Sequence, residues 1–210
     1  IIKDTQNSKL KIGYKLGLEF LNSKNGRIFL SKLRNKIIFA DLKLNDIPNT
    51  CASTIKAIKD LRINYLTIHI SSGLDALKAA KKVSGKIKLI GVTVLTSLSE
   101  DQFDELGYSG NLTSAVERLA VLSCSSGLDG VVCSPKELKL LSRVISGDFL
   151  YVTPGIRFDG EDSHDQSRIA TPQSAIEEGA DYLVMGRSIL ESENPSTRVL
   201  SINSLTIKNK

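Results

Sequence analysis

The chain has 210 residues, 41% of them hydrophobic, and a formal net charge of +5. That composition suits one compact domain with a substantial core, and no apolar run approaches the roughly 18 residues of a membrane-spanning helix. The excess positive charge is scattered along helical stretches, as at Lys78, Lys81, Lys82, Lys86 and Lys88, with few aromatics and no tryptophan, so it reads as a solvated face and points to small anionic partners, with no nucleic acid or membrane expected.

The segment Ile1 to Lys9 lacks the apolar run of a signal peptide. Cys51, Cys124 and Cys133 are widely spaced and odd in number, which predicts reduced thiols in a cytoplasmic protein and no metal-ligand set.

Short apolar runs alternate with amphipathic ones along the chain. Ile12 to Leu16 reads as the first visible strand and Ile37 to Leu42 as the second. A helix is expected over Asn49 to Leu61, opened by Pro48 and capped by Asn49 or Thr50. Tyr65 to Ile70 and Leu89 to Leu95 are the next strands. Asn111 to Ser123 places Leu112, Ala115, Val116, Leu119 and Leu122 on one helical face. Gly130 to Cys133 is a strand, followed by a helix over Pro135 to Ile145 with Ser134 as its cap and Pro135 at the first position. Phe149 to Val152 precedes a second such start, Thr171-Pro172, for a helix through Glu178. Tyr182 to Met185 is the seventh strand.

Strands alternating with helices imply a parallel sheet. Polar residues gather at the C-terminal ends of these strands: Asp41, His69, Thr96, Ser134, Arg157 and Arg187. A (β/α)8 TIM barrel builds its active site from such positions, and with no low-complexity linker it is expected to span 1–210 as a single domain. An open doubly wound sheet, which also binds ligands at strand C-termini, is the alternative.

The run DLKLNDIPNT, residues 41–50, carries the most chemistry. Asp41 and Lys43 are two apart on a strand and share a face. Burying a carboxylate beside an ammonium costs desolvation that structure alone rarely returns, so Asp41, Lys43 and Asp46 are catalytic candidates. The phosphate reading is independent of that one. Gly186-Arg187 follows the last strand, where barrels often hold phosphate. Arg157 can grip phosphate in a bidentate manner, Gln166 can add amide donors, and the polar stretch from Phe158 to Arg168 reads as a lid.

Further pieces occur in a fixed order: Lys15 in KLGLEF, His69 in TIHISSG, Thr96 and Ser97 closing VTVLTS, Ser134 closing GLDGVVCS, Arg157 closing TPGIR, Asp165-Gln166 before Arg168, and Gly186-Arg187 in MGRSI. Together with DLKLNDIPNT they resemble orotidine 5′-phosphate decarboxylase of the bacterial type. The resemblance implies loss of CO₂ from orotidine 5′-phosphate to give uridine 5′-phosphate, the last step of de novo pyrimidine synthesis, with no metal or organic cofactor. It implies a charge array of Lys15, Asp41, Lys43 and Asp46, with Asp46 shared across a homodimer. Lys43 would stabilise the carbanion and deliver the proton to C6. Asp41 would lie by the substrate carboxylate, and Lys15 would bridge the aspartates and the ribose. Ile47, Thr50 and Thr96 would contact substrate, and Arg157, Gln166, Gly186 and Arg187 its phosphate. His69 either orders the site or touches substrate. His164 is read as solvated, and Asp4 is assigned no role.

The family opens with a strand bearing a ribose-binding aspartate, then a helix. Here Lys15 arrives after 14 residues, so that strand is expected to be missing, and Ile1 to Leu10 to be at most the tail of the first helix. Two other functions fit less well: a metal-dependent sugar-phosphate lyase of the same barrel superfamily, or an inactive nucleotide-binding relative.

Overall fold

The structure is a computed structural model that describes residues 1–3, 5, 8–33, 35–162, 168–202 and 204–205. Seven strands form one sheet in chain order, and every neighbouring pair is parallel. They are β1 (Gly13–Gly17), β2 (Ile37–Leu44), β3 (Tyr65–His69), β4 (Lys88–Val92), β5 (Gly130–Val132), β6 (Leu150–Thr153) and β7 (Tyr182–Leu183). The helices are α1 (Leu18–Asn22), α2 (Gly26–Lys32), α3 (Pro48–Ala57), α4 (Leu74–Ser84), α5 (Glu100–Glu105), α6 (Leu112–Ser125), α7 (Leu138–Val144), α8 (Pro172–Glu177), α9 (Arg187–Leu190) and α10 (Pro195–Ile202).

The sheet is strongly curled. Tyr65 and Tyr182 stand four strands apart, yet their hydroxyls lie 2.7 Å from each other. Both rings therefore project from the concave side. Phe39 packs edge-on against Tyr65 and continues the layer. Strand alternation then assigns the other face: Ile38, Ala40, Leu66, Ile68, Leu89 and Val131 turn outward and are buried with Ile55, Leu77, Ala80, Val116 and Leu141 of the helices. This is the architecture of a (β/α)8 barrel with seven of its eight strands among the described residues. Among the described residues β1 and β7 form the two edges of the sheet.

Several predicted boundaries move, each for a local reason. The third helix begins at Pro48, with Ile47 as its extended N-cap and no side-chain cap; Asn49 and Thr50 lie inside the first turn because proline already sets the helical φ at that position. It stops at Ala57, and Lys59–Leu61 is a separate 3-10 turn. The expected helix at Pro135 opens as a 3-10 turn through Glu137. Its cap residue Ser134 was foreseen, as was Thr171, whose side chain accepts the Ser174 N–H; Asn111, expected only as the start of its helix, also proves to be its cap, accepting the Ser114 N–H. Strand β4 ends at Val92 rather than Leu95. The described part of Ile1 to Leu10 forms turns rather than a helix tail, tied to β1 by the 2.7 Å contact of the Thr5 and Tyr14 hydroxyls.

Candidate active site

Strand β2 carries the centre of the site. Register places Gly17 of β1 beside Asp41, and Lys15, two residues earlier, points the same way. The Lys15 ammonium lies 2.7 Å and the Lys43 ammonium 2.9 Å from one oxygen of Asp41, Oδ2. The other oxygen, Oδ1, accepts the Thr67 hydroxyl from β3 at 3.0 Å. Asp41 is 6% exposed. Burial alone would raise its pKa, but the two ammonium groups more than reverse this and hold it below the ordinary carboxylate value.

Lys43 reaches Asp41 by an unusual backbone. The register of β2 against β3 shifts between Ala40 and Leu44, and within that bulge Lys43 has φ of 47°. A non-glycine residue in the left-handed region costs about 1–3 kcal/mol and persists only where its surroundings hold it. Thr67 supplies the hold. Its Oγ1 accepts the Lys43 N–H at 2.8 Å while its own hydrogen goes to Asp41. Asp41 and Lys43 therefore converge as expected, through a bulge rather than simple alternation. Thr67 was missed from sequence, where a threonine inside an apolar strand looks like a β-branched filler. His69, two residues on, is half-buried; desolvation and the nearby Lys43 charge, partly offset by Asp41, lower its pKa.

Asp46 is not drawn into this cluster. It is exposed, its carboxylate accepts the N–H of Ile47 at 2.7 Å, and among the described residues it pairs with no cation. Ile47 is 66% exposed, and Thr50 is exposed beside it on α3. Within one chain, three of the four expected members of the array meet.

Thr96 is half-buried in the turn after β4. That turn is secured from a distance. Arg168 donates to the Leu95 carbonyl at 3.2 Å and forms a tight ion pair with Glu137, whose other oxygen accepts the Ser134 N–H at 2.7 Å. Glu137 was not foreseen, although Ser134-Pro-Lys-Glu137 matches the capping-box spacing that would have found it.

At the far end of the strand tips, Arg157 and Arg187 line one cleft of about 190 Å³. Arg157 is buried; it donates to the Ile156 carbonyl at 2.9 Å and the Asp162 carbonyl at 3.2 Å, which fixes the plane of its guanidinium. The stretch beyond it is closed at its base by Arg157 N–H to Ala170 O and Ala170 N–H to Gly155 O. A side chain added at Gly186 would meet nothing within 4 Å, so the space above that backbone is open. Arg198 of α10 also lines this cleft, a residue that no sequence motif marked. Gln166, with His164 and Asp165, lies outside the described residues, as does Asp4. Among the described residues no three metal-ligating side chains come together, Cys51, Cys124 and Cys133 are unpaired thiols, and no helix is long and apolar enough to cross a membrane.

Comparison with known proteins identifies the family. The sequence model of the orotidine 5′-phosphate decarboxylase / HUMPS family matches residues 5–202. An orotidine 5′-phosphate decarboxylase of Wolbachia pipientis is 49% identical over 203 residues, covering 93% of this chain and 88% of that protein. One from Actinobacillus succinogenes is 40% identical over 210 residues, covering 96% and 88%. The crystal structure of orotidine 5′-phosphate decarboxylase from Lactobacillus acidophilus superposes with a TM-score of 0.79 at 38% identity, covering 90% of this chain and 84% of that one. On this evidence the chain belongs to the orotidine 5′-phosphate decarboxylase / HUMPS family.

Proposed function

We propose that the protein converts orotidine 5′-phosphate to uridine 5′-phosphate and CO₂ in pyrimidine biosynthesis. The observation that carries this reading is the Asp41 carboxylate with two ammonium groups on one oxygen, at the end of a strand and beside a strained lysine. A stabilising salt bridge needs neither a second cation nor a left-handed backbone.

The chemistry asks for such an array. Breaking the bond from C6 to the carboxylate leaves an electron pair in the plane of the ring, where the π system cannot absorb it. Preorganised positive charge must lower that barrier. The Lys43 ammonium supplies the charge and then gives a proton to C6, leaving CO₂, the C6–H product and a neutral lysine that regains its proton from solvent. Asp41 and Thr67 hold Lys43 in position, and Lys15 brings a second positive charge to the same carboxylate oxygen. Thr96, Ile47 and Thr50 contact the nucleoside, while Arg157, Gln166, Gly186 and Arg187 bind the phosphate.

The exposed Asp46 supports a homodimer in which it completes the partner's array. An ultraviolet assay of orotidine 5′-phosphate loss with EDTA present tests the reaction: turnover should persist, and loss of activity on chelation would transfer the reading to the metal-dependent lyases of the same superfamily. Mixing inactive Asp46→Ala and Lys43→Ala proteins should restore part of the activity through hybrid dimers; a confirmed hybrid without activity would refute the shared site.

A further inference from the structure

The phosphate cleft contains its own competitor. Among the described residues three arginines line it, Arg157, Arg187 and Arg198, and so do three carboxylate residues, Glu161, Asp162 and Glu191. The cleft is thus close to neutral before any ligand arrives, a poor starting point for a dianion.

Glu161 occupies a particular place among these groups. One carboxylate oxygen accepts the Phe158 N–H at 3.0 Å, and the other lies 3.4 Å from Nη2 of Arg198. The guanidinium of Arg198 in turn sits over the Phe158 ring, 4.6 Å from its centroid. A backbone N–H and a stacked arginine converging on one anion is how a phosphate is commonly bound. Here the anion is the protein's own side chain. The pair is readily exchanged, since both side chains are partly exposed, 35% for Arg198 and 22% for Glu161, and the contact with Arg198 is long for an ion pair.

We propose that Glu161 is a resident counter-ion of the phosphate pocket and that Arg198 is a third phosphate-binding arginine, released when a phosphate monoester displaces the glutamate carboxylate. This deepens the decarboxylase reading by adding a specificity-determining residue to its phosphate end. The competition itself concerns any phosphate monoester. Binding exchanges one anion for another on Arg198, so the cation stays paired throughout, and ligands without phosphate gain nothing because they cannot displace Glu161.

Isothermal titration with inorganic phosphate, uridine 5′-phosphate and uridine decides the matter. Arg198→Gln should weaken both phosphate ligands about tenfold, the low end for hydrogen bonds to a charged group, and leave uridine unchanged. Glu161→Gln keeps an acceptor for the Phe158 N–H but removes the charge; it should tighten both phosphate ligands several-fold, and that gain should vanish in the double variant. Arg198→Lys should recover part of the loss. The substitutions spare the core, because α10 buries Val199 and Ile202, and unchanged thermal unfolding will verify this. Unaltered or weaker phosphate binding by Glu161→Gln overturns the proposal, as does an equal loss of uridine and uridine 5′-phosphate affinity in Arg198→Gln, which would mark Arg198 as mere packing on Phe158. If the wild type bound inorganic phosphate but neither bound uridine 5′-phosphate nor decarboxylated its precursor, the pyrimidine reading would fall, and the inorganic phosphate titrations would still decide the competition.

Discussion

The two rims of the barrel use the same residue types for opposite ends. At the N-terminal rim, Asn64, Asp129 and Asp181 stand immediately before β3, β5 and β7. Each side chain accepts the backbone N–H of the preceding strand, from Ile38, Leu89 and Tyr151, at 2.8 Å in all three cases. The backbone N–H of Asp129 and Asp181 returns a bond to the same residue's carbonyl, and so does that of Asn64. This repeated clamp pins strand register and satisfies polar groups that would otherwise be buried alone. At Asp129 the added cation, Lys81 at 2.6 Å, sets one charge against one charge.

The C-terminal rim is arranged differently. Asp41 spends its acceptors on side chains, gathers two like charges onto one oxygen, and adjoins a residue with a left-handed backbone. Each of these features lowers stability relative to an apolar alternative. The contrast teaches that an aspartate at a strand end is uninformative until its partners are known. Asn64, Asp129 and Asp181 hold backbone donors of the neighbouring strand, whereas Asp41 holds crowded cations.

Substitution can break this contrast. Lys43→Ala should lower kcat by at least about 10⁴-fold, combining lost charge stabilisation with lost proton delivery. Its thermal midpoint should stay level or rise, because it relieves the crowding of ammonium groups; a large fall in the midpoint would reassign Lys43 to the scaffold. Asp181→Ala should do the reverse. It strands the Tyr151 N–H and should cost about 1–3 kcal/mol in urea unfolding, with kcat of the folded enzyme within about twofold of wild type.

Thr67→Val sharpens the comparison because Thr67 serves both purposes. It removes the acceptor of the Lys43 N–H and a donor to Asp41 while keeping the shape. Stability should drop by about 1–3 kcal/mol, and kcat should fall about 10- to 100-fold as the bulge relaxes. An effect on only one of the two measurements would separate strain from catalysis.

The smallest expected effect is on pH dependence. The folded pKa of His69 is lowered by burial and by Lys43, so the unfolded chain takes up this proton first on acidification. The contribution of His69 to stability is fully present above its unfolded pKa, about 6.5, and is lost as pH falls from there through the lowered folded value. His69→Gln should flatten that part of the stability curve in urea titrations at successive pH values. Asp41, also lowered, acts with the same sign further down, below about pH 4.

Much of the scaffold was legible because its causes are local. Apolar runs marked all seven strands to within a few residues, the helix from Asn111 showed its apolar face, and Ser134 and Thr171 announced their helices through capping. Helix α2 was among the helices not marked, and it has no side-chain cap. It exists because Leu30 is buried and because Gly26 allows close approach to Phe20, whose carbonyl would lie 2.0 Å from an added Cβ. Of the site, Lys15, Asp41, Lys43, Arg157 and Arg187 were identified in advance and brought into two groups. Thr67 and Arg198 were not, for their partners lie 24 to 40 residues away in sequence, and Glu137 was not, although its capping-box spacing from Ser134 was there to be read.

The sequence by itself determined the alternation of elements, the face on which the charged residues fall and the family to which they point. Those properties follow from periodicity and from the residue types that phosphate and carbanion chemistry require. Tertiary structure alone decided that both ammonium groups share one oxygen, that Lys43 arrives there through a strained bulge braced by Thr67, and that Glu161 already sits on Arg198. These are distances between segments remote in the chain, and they arise only when the curled sheet brings the strand ends together.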